Sequence, residues 1–358
     1  MKPRSVLRVG LILVVGCTQT GPAGTVTTIA GSAESGYTDG SGATARFFGP
    51  TDIAVTSAGS IVVADTFNHR IRMIGMDGVV STLAGDGTAG YADGPGTSAQ
   101  FSLPAAIAEL DGTLYVADGD NAVIRTVNLT TRDVGTLAGS AGAPGLDDGV
   151  GSAARFDRPY GLDVDPTTRT LWIVDKNNAA IRTLDLGTGA VHTLAGDGTL
   201  GAQDGVGAAA HFNSPSGIAV DGLGGAWVAD TGNSVIRHID ADGTVTTAAG
   251  AAMSSGFIDG APRTARLDRP WGIAMTTDGD ILFTEQYNST IRALTPGVEV
   301  HLVAGQRWDG GDPAAHPPPR DGPAAAAVLA EPTGLAIERS GDLVFSDHHA
   351  LRRVAGWR

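Results

Sequence analysis

Two runs in the second half of the chain decide its fold: Pro215-Ser-Gly-Ile-Ala-Val220 and Val228-Ala-Asp-Thr-Gly-Asn-Ser-Val-Ile-Arg237. Each contains a short apolar segment bounded by Gly, Asp or Asn, a pattern typical of strands joined by tight turns. The same pair of runs recurs, with substitutions, along the chain. A repeat of this length has to be recognised before anything else is interpreted, because it determines the whole architecture.

Two independent markers count six repeats. Ala-Gly pairs close an apolar run at intervals of 54, 54, 57, 54, 55 and 51 residues, and they begin at Ala30, Ala84, Ala138, Ala195, Ala249, Ala304 and Ala355. A proline also lies eleven residues after an Asp-Gly pair in every unit, and these prolines are Pro50, Pro104, Pro159, Pro215, Pro270 and Pro332. Because the markers agree, we treat the chain as six units of about 54 residues.

Each unit holds four apolar runs, which in the first unit are Asp52–Thr56, Ile61–Ala64, Ile71–Ile74 and Val80–Ala84. We name the predicted strands a, b, c and d from the central axis outward. Four antiparallel strands per unit, repeated six times without helical periodicity, predict an all-β six-bladed β-propeller.

The two ends of the chain support this prediction. The sixth unit stops after strand c, near Val354, and lacks strand d. The missing strand is present at the other end, where residues 25–31 match the d strands of the other units. We expect this N-terminal strand to complete the last blade and cover its open edge. The propeller is therefore predicted to occupy residues 24–358.

The blade pattern resembles NHL repeats. In that family, Pro-x-Gly-[Ile/Leu/Val]-Ala-Val is followed by Val-Ala-Asp-x-x-Asn-x-x-Ile-Arg, and residues 215–220 and 228–237 match it most closely. The sixth blade departs most, since it has lost the Asn and two turn residues. Enzymes also use this propeller: amidating lyases bind a metal through histidine, and lactonases and strictosidine-synthase-like proteins share the architecture. Neither the lyase nor the lactonase metal pattern can be matched here residue by residue.

The amino terminus predicts export. Residues 1–16 combine basic residues with a short apolar run that is too short to span a bilayer, which is typical of a signal peptide. Residues 14–17, Val-Val-Gly-Cys, resemble a lipobox, so Cys17 is the predicted lipidation site and residues 17–23 a tether. An ordinary signal peptide with a chance cysteine is the alternative. We expect a lipid-anchored protein of the bacterial cell envelope, on the periplasmic or outer surface of the outer membrane.

Net charge and cysteine content limit the classes of partner and the means by which the fold is stabilised. The formal net charge of −14 disfavours nucleic acid and anionic membrane surfaces, so the lipid anchor is the only membrane contact that we predict. Cys17 is the single cysteine, so no internal disulfide can hold the fold and packing must do so.

Most recurring polar residues are predicted to be structural. Strand b ends in Asp or Glu, an Asn usually follows three residues later, and an Arg lies in strand c, as in Asp65, Asn68 and Arg72. We expect the Asn to close the hairpin and the Arg to pair with a carboxylate. The Asp-Gly pairs of the linkers are interpreted as turns, with calcium ligation as the alternative.

Residues that break the repeat are the candidates for function. We expect them on the face that carries the long d-to-a linkers and the b-to-c hairpins, which we call the loop-bearing face. An acidic pocket edged by aromatic rings would suit a sugar or a cationic peptide. Drift on solvated loops is the alternative. The ligand-binding candidates are Asp52, Tyr160, Asp163, Lys176, Trp271, Glu285 and Tyr287.

Three hairpin histidines, His69, His348 and His349, are candidate zinc ligands because they fall on adjoining blades. No cofactor is otherwise predicted, with calcium or zinc as the alternatives. The predicted function is a binding or scaffold module that takes a protein, peptide or glycan of the envelope on its loop-bearing face. The alternative is a lyase or hydrolase, with or without a metal, that has its site in the central mouth. No catalytic residue is assigned.

Overall fold

The computed structural model describes residues 23–308 and 317–358. Within these ranges, six antiparallel sheets stand around a central axis. Strand a of each blade contacts strand a of the next blade, and blade 6 returns to blade 1, so the ring is closed. The predicted six-bladed β-propeller is confirmed. The predicted signal peptide and Cys17 lie outside the described residues.

The strands follow the apolar runs to within one or two residues in the first unit. Blade 1 contains Asp52–Val55, Ile61–Asp65, Arg70–Ile74 and Val79–Ala84. Blade 2 contains Pro104–Leu110, Thr113–Asp118, Val123–Asn128 and Asp133–Gly139. Blade 3 contains Pro159–Asp165, Thr170–Asp175, Ala180–Asp185 and Ala190–Ala195.

The other three blades have the same order. Blade 4 contains Ile218–Val220, Ala226–Asp230, Val235–Ile239 and Thr244–Gly250. Blade 5 contains Pro270–Met275, Ile281–Glu285, Thr290–Thr295 and Glu299–Ala304. Blade 6 contains Pro332–Ile337, Leu343–Asp347, Ala350–Ala355 and the N-terminal strand Thr25–Gly31.

The N-terminal strand closes the ring as predicted. Thr25–Gly31 pairs antiparallel with Ala350–Ala355, with Val26 opposite Val354. Val26 is fully buried and joins the core between blades 5 and 6. The last blade is therefore completed by the two ends of the propeller domain.

An additional short strand, not predicted from the sequence, covers the outer edge of five blades. These two-residue strands are Gly40–Ser41, Gly94–Pro95, Gly149–Val150, Gly205–Val206 and Gly322–Pro323. Each pairs with strand d of its blade, so the linker covers backbone groups that an exposed edge would leave unpaired. Blade 5 keeps four strands.

The hydrophobic core consists of the layers between neighbouring blades. One such layer joins Ile124 of blade 2 to Leu162 and Ile173 of blade 3, and another joins Leu351 of blade 6 to Ile53 of blade 1. Adjacent sheets bury the facing sides of their alternating strands against each other. Among the described residues, no helix is long and apolar enough to cross a membrane.

A buried arginine joins three segments in every blade. In blade 1, Arg72 is fully buried and donates to Asp65 (2.7 Å) and to Asp39 of the linker (2.5 Å). Asn68 donates to Asp65 and to the carbonyl oxygen of Gly36. The predicted arginine–carboxylate pairing is confirmed. The equivalent arginines are Arg125, Arg182, Arg237, Arg292 and Arg352.

The same pattern accounts for the linker aspartates that were considered for calcium. Each accepts from the arginine of its blade at 2.5–2.9 Å, and they are Asp39, Asp93, Asp148, Asp204, Asp259 and Asp321. Burying a guanidinium group is costly unless its charge and its donors are satisfied. The six arginines therefore tie each linker to its blade and hold the loop-bearing face in place.

Candidate functional site

The a strands enclose a central cavity of about 380 Å³. All six blades contribute to its wall, mostly through small or apolar residues such as Ala54, Ala106 and Ala219. Its volume lies in the range of small-molecule sites. Such a wall can bind a polar ligand only where strand a carries a polar side chain that faces the cavity. Two of the predicted ligand-binding residues, Asp52 and Asp163, do so.

Asp52 is the first of these wall residues. It lies two positions after Pro50, and its Oδ2 accepts a hydrogen bond from the backbone N–H of Ile107 in blade 2 at 2.9 Å. Burial raises the pKa of Asp52 to about 7, and the nearby carboxylate of Asp163 adds to the rise. Asp52 therefore carries only part of its charge at neutral pH.

Asp163 is the second. It lies four positions after Pro159, and its two carboxylate oxygens accept from the backbone N–H groups of Val220 (2.7 Å) and Val164 (2.8 Å). Burial raises the pKa of Asp163 to about 6, although both hydrogen bonds oppose the rise. Like Asp52, Asp163 forms no ion pair within the part of the chain that the structure describes.

An aromatic pair lies at the end of the cavity nearest the loop-bearing face. The rings of Tyr160 and Trp271 meet edge to face, with their centroids 5.6 Å apart. Nζ of Lys176, from the hairpin of blade 3, lies 4.0 Å from the centre of the Tyr160 ring and 4.3 Å from that of Trp271. Burial, helped by the positive charge of Arg158, lowers the pKa of Lys176 to about 8. Tyr160 and Trp271 line the cavity, whereas Lys176 does not.

The opposite end of the cavity is more exposed to solvent. Its lining there includes the exposed Pro166 in the a-to-b turn of blade 3, and Glu109 near the end of strand a in blade 2. No residue of a b-to-c hairpin lines the cavity. The cavity thus reaches solvent on the face of the short a-to-b and c-to-d turns, which we call the short-turn face. This differs from the pocket on the loop-bearing face that the residues breaking the repeat predicted, because the side chains at the start of strand a close that end of the channel.

Two predicted site residues lie elsewhere. Glu285 is completely buried in the position of the hairpin aspartate, where it bonds to Arg292 and accepts from the backbone N–H of Asp268. Tyr287 is 53% exposed, and its ring and hydroxyl group contact Arg269 on the loop-bearing face. The structure does not bring either residue to the cavity.

The three histidines do not form one cluster. His69 accepts from the backbone N–H of Leu103 in the linker before blade 2, whereas His349 accepts from that of Gly49 before blade 1. Both use Nδ1, so each ring ties a hairpin to the following linker. Across residues 23–308 and 317–358, no group of three His, Cys, Asp or Glu side chains is placed to hold a metal ion.

A patch of rings lies on the loop-bearing face at the junction of blades 6 and 1. Phe67 of the blade 1 hairpin contacts Phe48 of the preceding linker, with centroids 5.1 Å apart. Phe48 meets His349 edge to face at 5.5 Å, and His349 stacks on His348 at 3.7 Å. Phe48 is 41% exposed and Phe67 is 51% exposed. We call these four residues the aromatic patch.

Comparison of the six blades could have found the phenylalanines. The residues equivalent to Phe48 are Ser102, Asp157, Asn213, Asp268 and Ala330, none of them aromatic. Phe67 has a polar residue or glycine as its equivalent in blades 2, 3 and 4. Neither phenylalanine was among the predicted site residues, and neither was Glu109, which occupies a position that is apolar in every other blade.

Comparisons with known proteins agree with this architecture. The NHL repeat family model matches residues 47–72 and 212–239. The chain is 30% identical over 282 residues to Protein SUPPRESSOR OF QUENCHING 1, chloroplastic, of Arabidopsis thaliana, covering 74% of this chain and 27% of that protein. It is 26% identical over 349 residues to NHL repeat-containing protein 2 of Gallus gallus, covering 85% of this chain and 46% of that protein.

The solved structure of an auxiliary nutrient binding protein from Bacteroides thetaiotaomicron superposes with a TM-score of 0.69 at 16% identity, covering 92% of this chain and 76% of that one. That likeness concerns the fold. The chain spans less than half the length of the curated relatives that it matches. With its repeats, its closed ring and these matches, the chain belongs to the NHL-repeat six-bladed propellers.

Proposed function

We propose that this protein is a binding module of the bacterial cell envelope that takes a partner on its loop-bearing face, and that the partner is a protein or peptide. The observation that carries the proposal is the aromatic patch of Phe48, Phe67, His348 and His349, because it exposes contiguous rings on loops held by buried arginines.

Exposed aromatic groups of this kind are typical of recognition surfaces. Large apolar rings gain free energy when a partner removes them from water, at about 25 cal/mol for each Å² of apolar surface buried. Aromatic residues are enriched at the centres of protein interfaces for the same reason. Phe48 meets His349 edge to face and is tilted by 50° against Phe67, so these three rings do not form the single flat surface on which a sugar ring stacks.

The wider context supports a binding role. A structural neighbour is described as an auxiliary nutrient binding protein, and propellers commonly place their binding sites on long loops. Attachment through Cys17 would hold the propeller at the membrane while leaving its face free for a partner. Glycans, the other ligand class predicted from the sequence, would compete for the same patch.

Site-specific photo-crosslinking tests the proposal. A photoreactive phenylalanine analogue placed at Phe67 in producing cells should yield a discrete crosslinked protein or peptide adduct. The matched control places the same analogue at Leu223, which is 87% exposed in an a-to-b turn on the short-turn face. Phe48→Ser should abolish the adduct at position 67.

Two results would contradict the proposal. Equal crosslinking from positions 67 and 223 would indicate non-specific contact with an apolar side chain. An adduct that is unchanged by Phe48→Ser would show that the patch does not act as a unit. A soluble glycan that prevents adduct formation when it is added before irradiation would favour the glycan instead.

A further inference from the structure

The central cavity has an unusual charge balance for a buried space. Among the described residues, three carboxylates line it, those of Asp52, Asp163 and Glu109, and no Lys, Arg or His does so. Glu109 lies near the short-turn opening, where its oxygens accept from the backbone N–H groups of Ser57 (3.0 Å) and Gly112 (2.8 Å). The entrance and the interior therefore have the same sign of charge.

The two interior carboxylates are not explained by the fold. Elsewhere in this propeller, each buried acidic side chain at a hairpin is paired with an arginine, as Asp175 is with Arg182 at 2.8 Å. Asp52 and Asp163 receive only backbone N–H groups. Four of the six blades have glycine at the position of Asp52, and the five other blades all have alanine at the position of Asp163, so neither acid is needed to build the wall. Buried carboxylates that have no cationic partner and no role in the fold are typical of ligand-binding and catalytic sites.

The closed end of the cavity adds a buried hydrogen-bond donor. Nε1 of Trp271 finds no described acceptor in good hydrogen-bond geometry, and its one neighbouring acceptor there is the Tyr160 hydroxyl group, with which it makes a poorly formed hydrogen bond that acts against the rise in the pKa of Tyr160. Native proteins rarely leave a buried N–H unpaired, because the lost hydrogen bond with water costs free energy. A bound molecule with an acceptor at that end would satisfy it.

The same aromatic pair already holds an ammonium group. Lys176 lies over both rings from the loop-bearing side, at 4.0 and 4.3 Å from their centres. Rings arranged in this way favour cations. Beyond the rings, the cavity offers about 380 Å³, enough for about a dozen water molecules or a molecule of comparable size.

From these observations we propose that the central cavity is a second binding site, which takes a small organic amine through the short-turn face. Its ammonium group pairs with Asp52 and Asp163, and a hydroxyl or carbonyl oxygen at its other end accepts from Nε1 of Trp271. The site is separate from the aromatic patch, since it opens on the opposite face and shares no residue with it. Its occupant is a small molecule, whereas the patch takes a macromolecule.

Titration calorimetry with three probes of similar size tests the inference on the propeller-containing protein. Aminobutanol carries both an ammonium and a hydroxyl group, butylamine lacks the oxygen, and butanediol lacks the charge. We expect aminobutanol to bind most tightly, butylamine more weakly and butanediol not measurably at about 10 mM, where millimolar binding is detectable.

Two conservative variants locate the site. Asp52→Asn and Asp163→Asn keep the size and an acceptor oxygen, and each should weaken aminobutanol binding at least about ten-fold, the loss expected for a charge-assisted hydrogen bond. The matched control is Asp77→Asn, an exposed aspartate in the c-to-d turn of blade 1, which should bind like the wild type. Trp271→Phe removes the N–H together with one ring of the indole, so loss of the hydrogen bond is read from the ratio of the two affinities: the advantage of aminobutanol over butylamine should shrink.

The inference is overturned if butanediol binds as well as aminobutanol, if Asp77→Asn weakens binding as much as Asp52→Asn, or if no probe binds. Binding of calcium in place of the amines, lost in the same two variants, would replace the amine with an inorganic cation and also overturn it. Phe48→Ser should leave amine binding unchanged, so failure of the aromatic patch and failure of this site can be told apart.

Discussion

Replacing Asp52 by asparagine should make the protein more stable at neutral and alkaline pH. Burial raises the pKa of this carboxyl group from 3.8 to about 7. Each pKa unit corresponds to about 1.36 kcal/mol, so about three units give an upper limit of about 4 kcal/mol for the cost of keeping Asp52 ionised in the folded protein. Solvent that enters the open cavity lowers the energetic cost of the buried charge. We therefore expect Asp52→Asn to raise the free energy of unfolding by about 2 kcal/mol.

The sign of the pH dependence follows from linkage. The folded protein holds the Asp52 proton more tightly than the unfolded chain does, so ionisation destabilises the fold. The cost is absent below the unfolded pKa, near 4, and is fully present above about pH 7. The difference in unfolding free energy between Asp52→Asn and wild type should therefore be close to zero at pH 4, rise between pH 4 and 7, and stay level above pH 7.

Urea unfolding at a series of pH values measures this difference. The hairpin aspartates titrate in both proteins and cancel in the comparison, whereas removal of the Asp52 charge also relieves its repulsion with Asp163 and adds to the gain in the same pH range. Asp77→Asn controls for the loss of one surface charge. A variant that is less stable than wild type at pH 8, or a difference that does not change with pH, would refute the reasoning. If the variant is both more stable and unable to bind aminobutanol, the wild-type protein gives up stability for its site, as functional residues often do.

Three further outcomes are expected. Asp175→Ala leaves the buried Arg182 with one carboxylate fewer and should lower the unfolding free energy by about 3–5 kcal/mol, whereas Asp148→Ala, at the half-exposed partner, should cost about 1 kcal/mol in the same denaturation assay. Deleting residues 24–31 bares an edge of blade 6 and should shift the protein to larger species than the wild type in size-exclusion chromatography, and an unchanged elution volume with unchanged unfolding would contradict this. Cys17→Ser should end incorporation of labelled palmitate and move the protein from the membrane to the soluble fraction, and labelling that persists would exclude lipidation at this residue.

The repeat made the architecture predictable. Six copies of one pattern average out the ambiguity of any single strand, and the missing strand d of the last unit could be matched only with Thr25–Gly31. The outer strands such as Gly40–Ser41 could not be predicted, because two residues are too few to show the alternation that identifies a strand.

The site was less predictable. A residue that differs from its equivalents in the other blades is easy to find in the sequence, but the difference does not reveal where its side chain points. Asp52, Asp163, Tyr160 and Trp271 were selected in this way, and the structure places all four around one cavity. His69 was selected by the same criterion, yet its ring accepts a backbone N–H from the next linker, a bond that depends on the backbone path rather than on any sequence pattern.

Glu285 shows a different failure of inference. It occupies the position of the recurring hairpin aspartates and, like those residues, lies buried against the arginine of its blade. The repeat alone therefore predicted a structural role for Glu285. Its longer side chain made it look exceptional. If equivalent positions had been grouped by chemical type, Glu285 would have joined the structural hairpin carboxylates. The same grouping would have singled out Phe48, which has no aromatic equivalent in any other blade.

The closure of blade 6 also sets an order of folding. Thr25–Gly31 is made before every blade, and its partner Ala350–Ala355 is made after nearly all of them. Until that last strand is present, the growing propeller is an open arc with an unpaired edge at each end, and such edges are prone to aggregation. Contacts between residues so far apart in sequence also form slowly. The ring can therefore close only after synthesis of the last blade, and chaperones that cover strand edges would act on this protein during that interval.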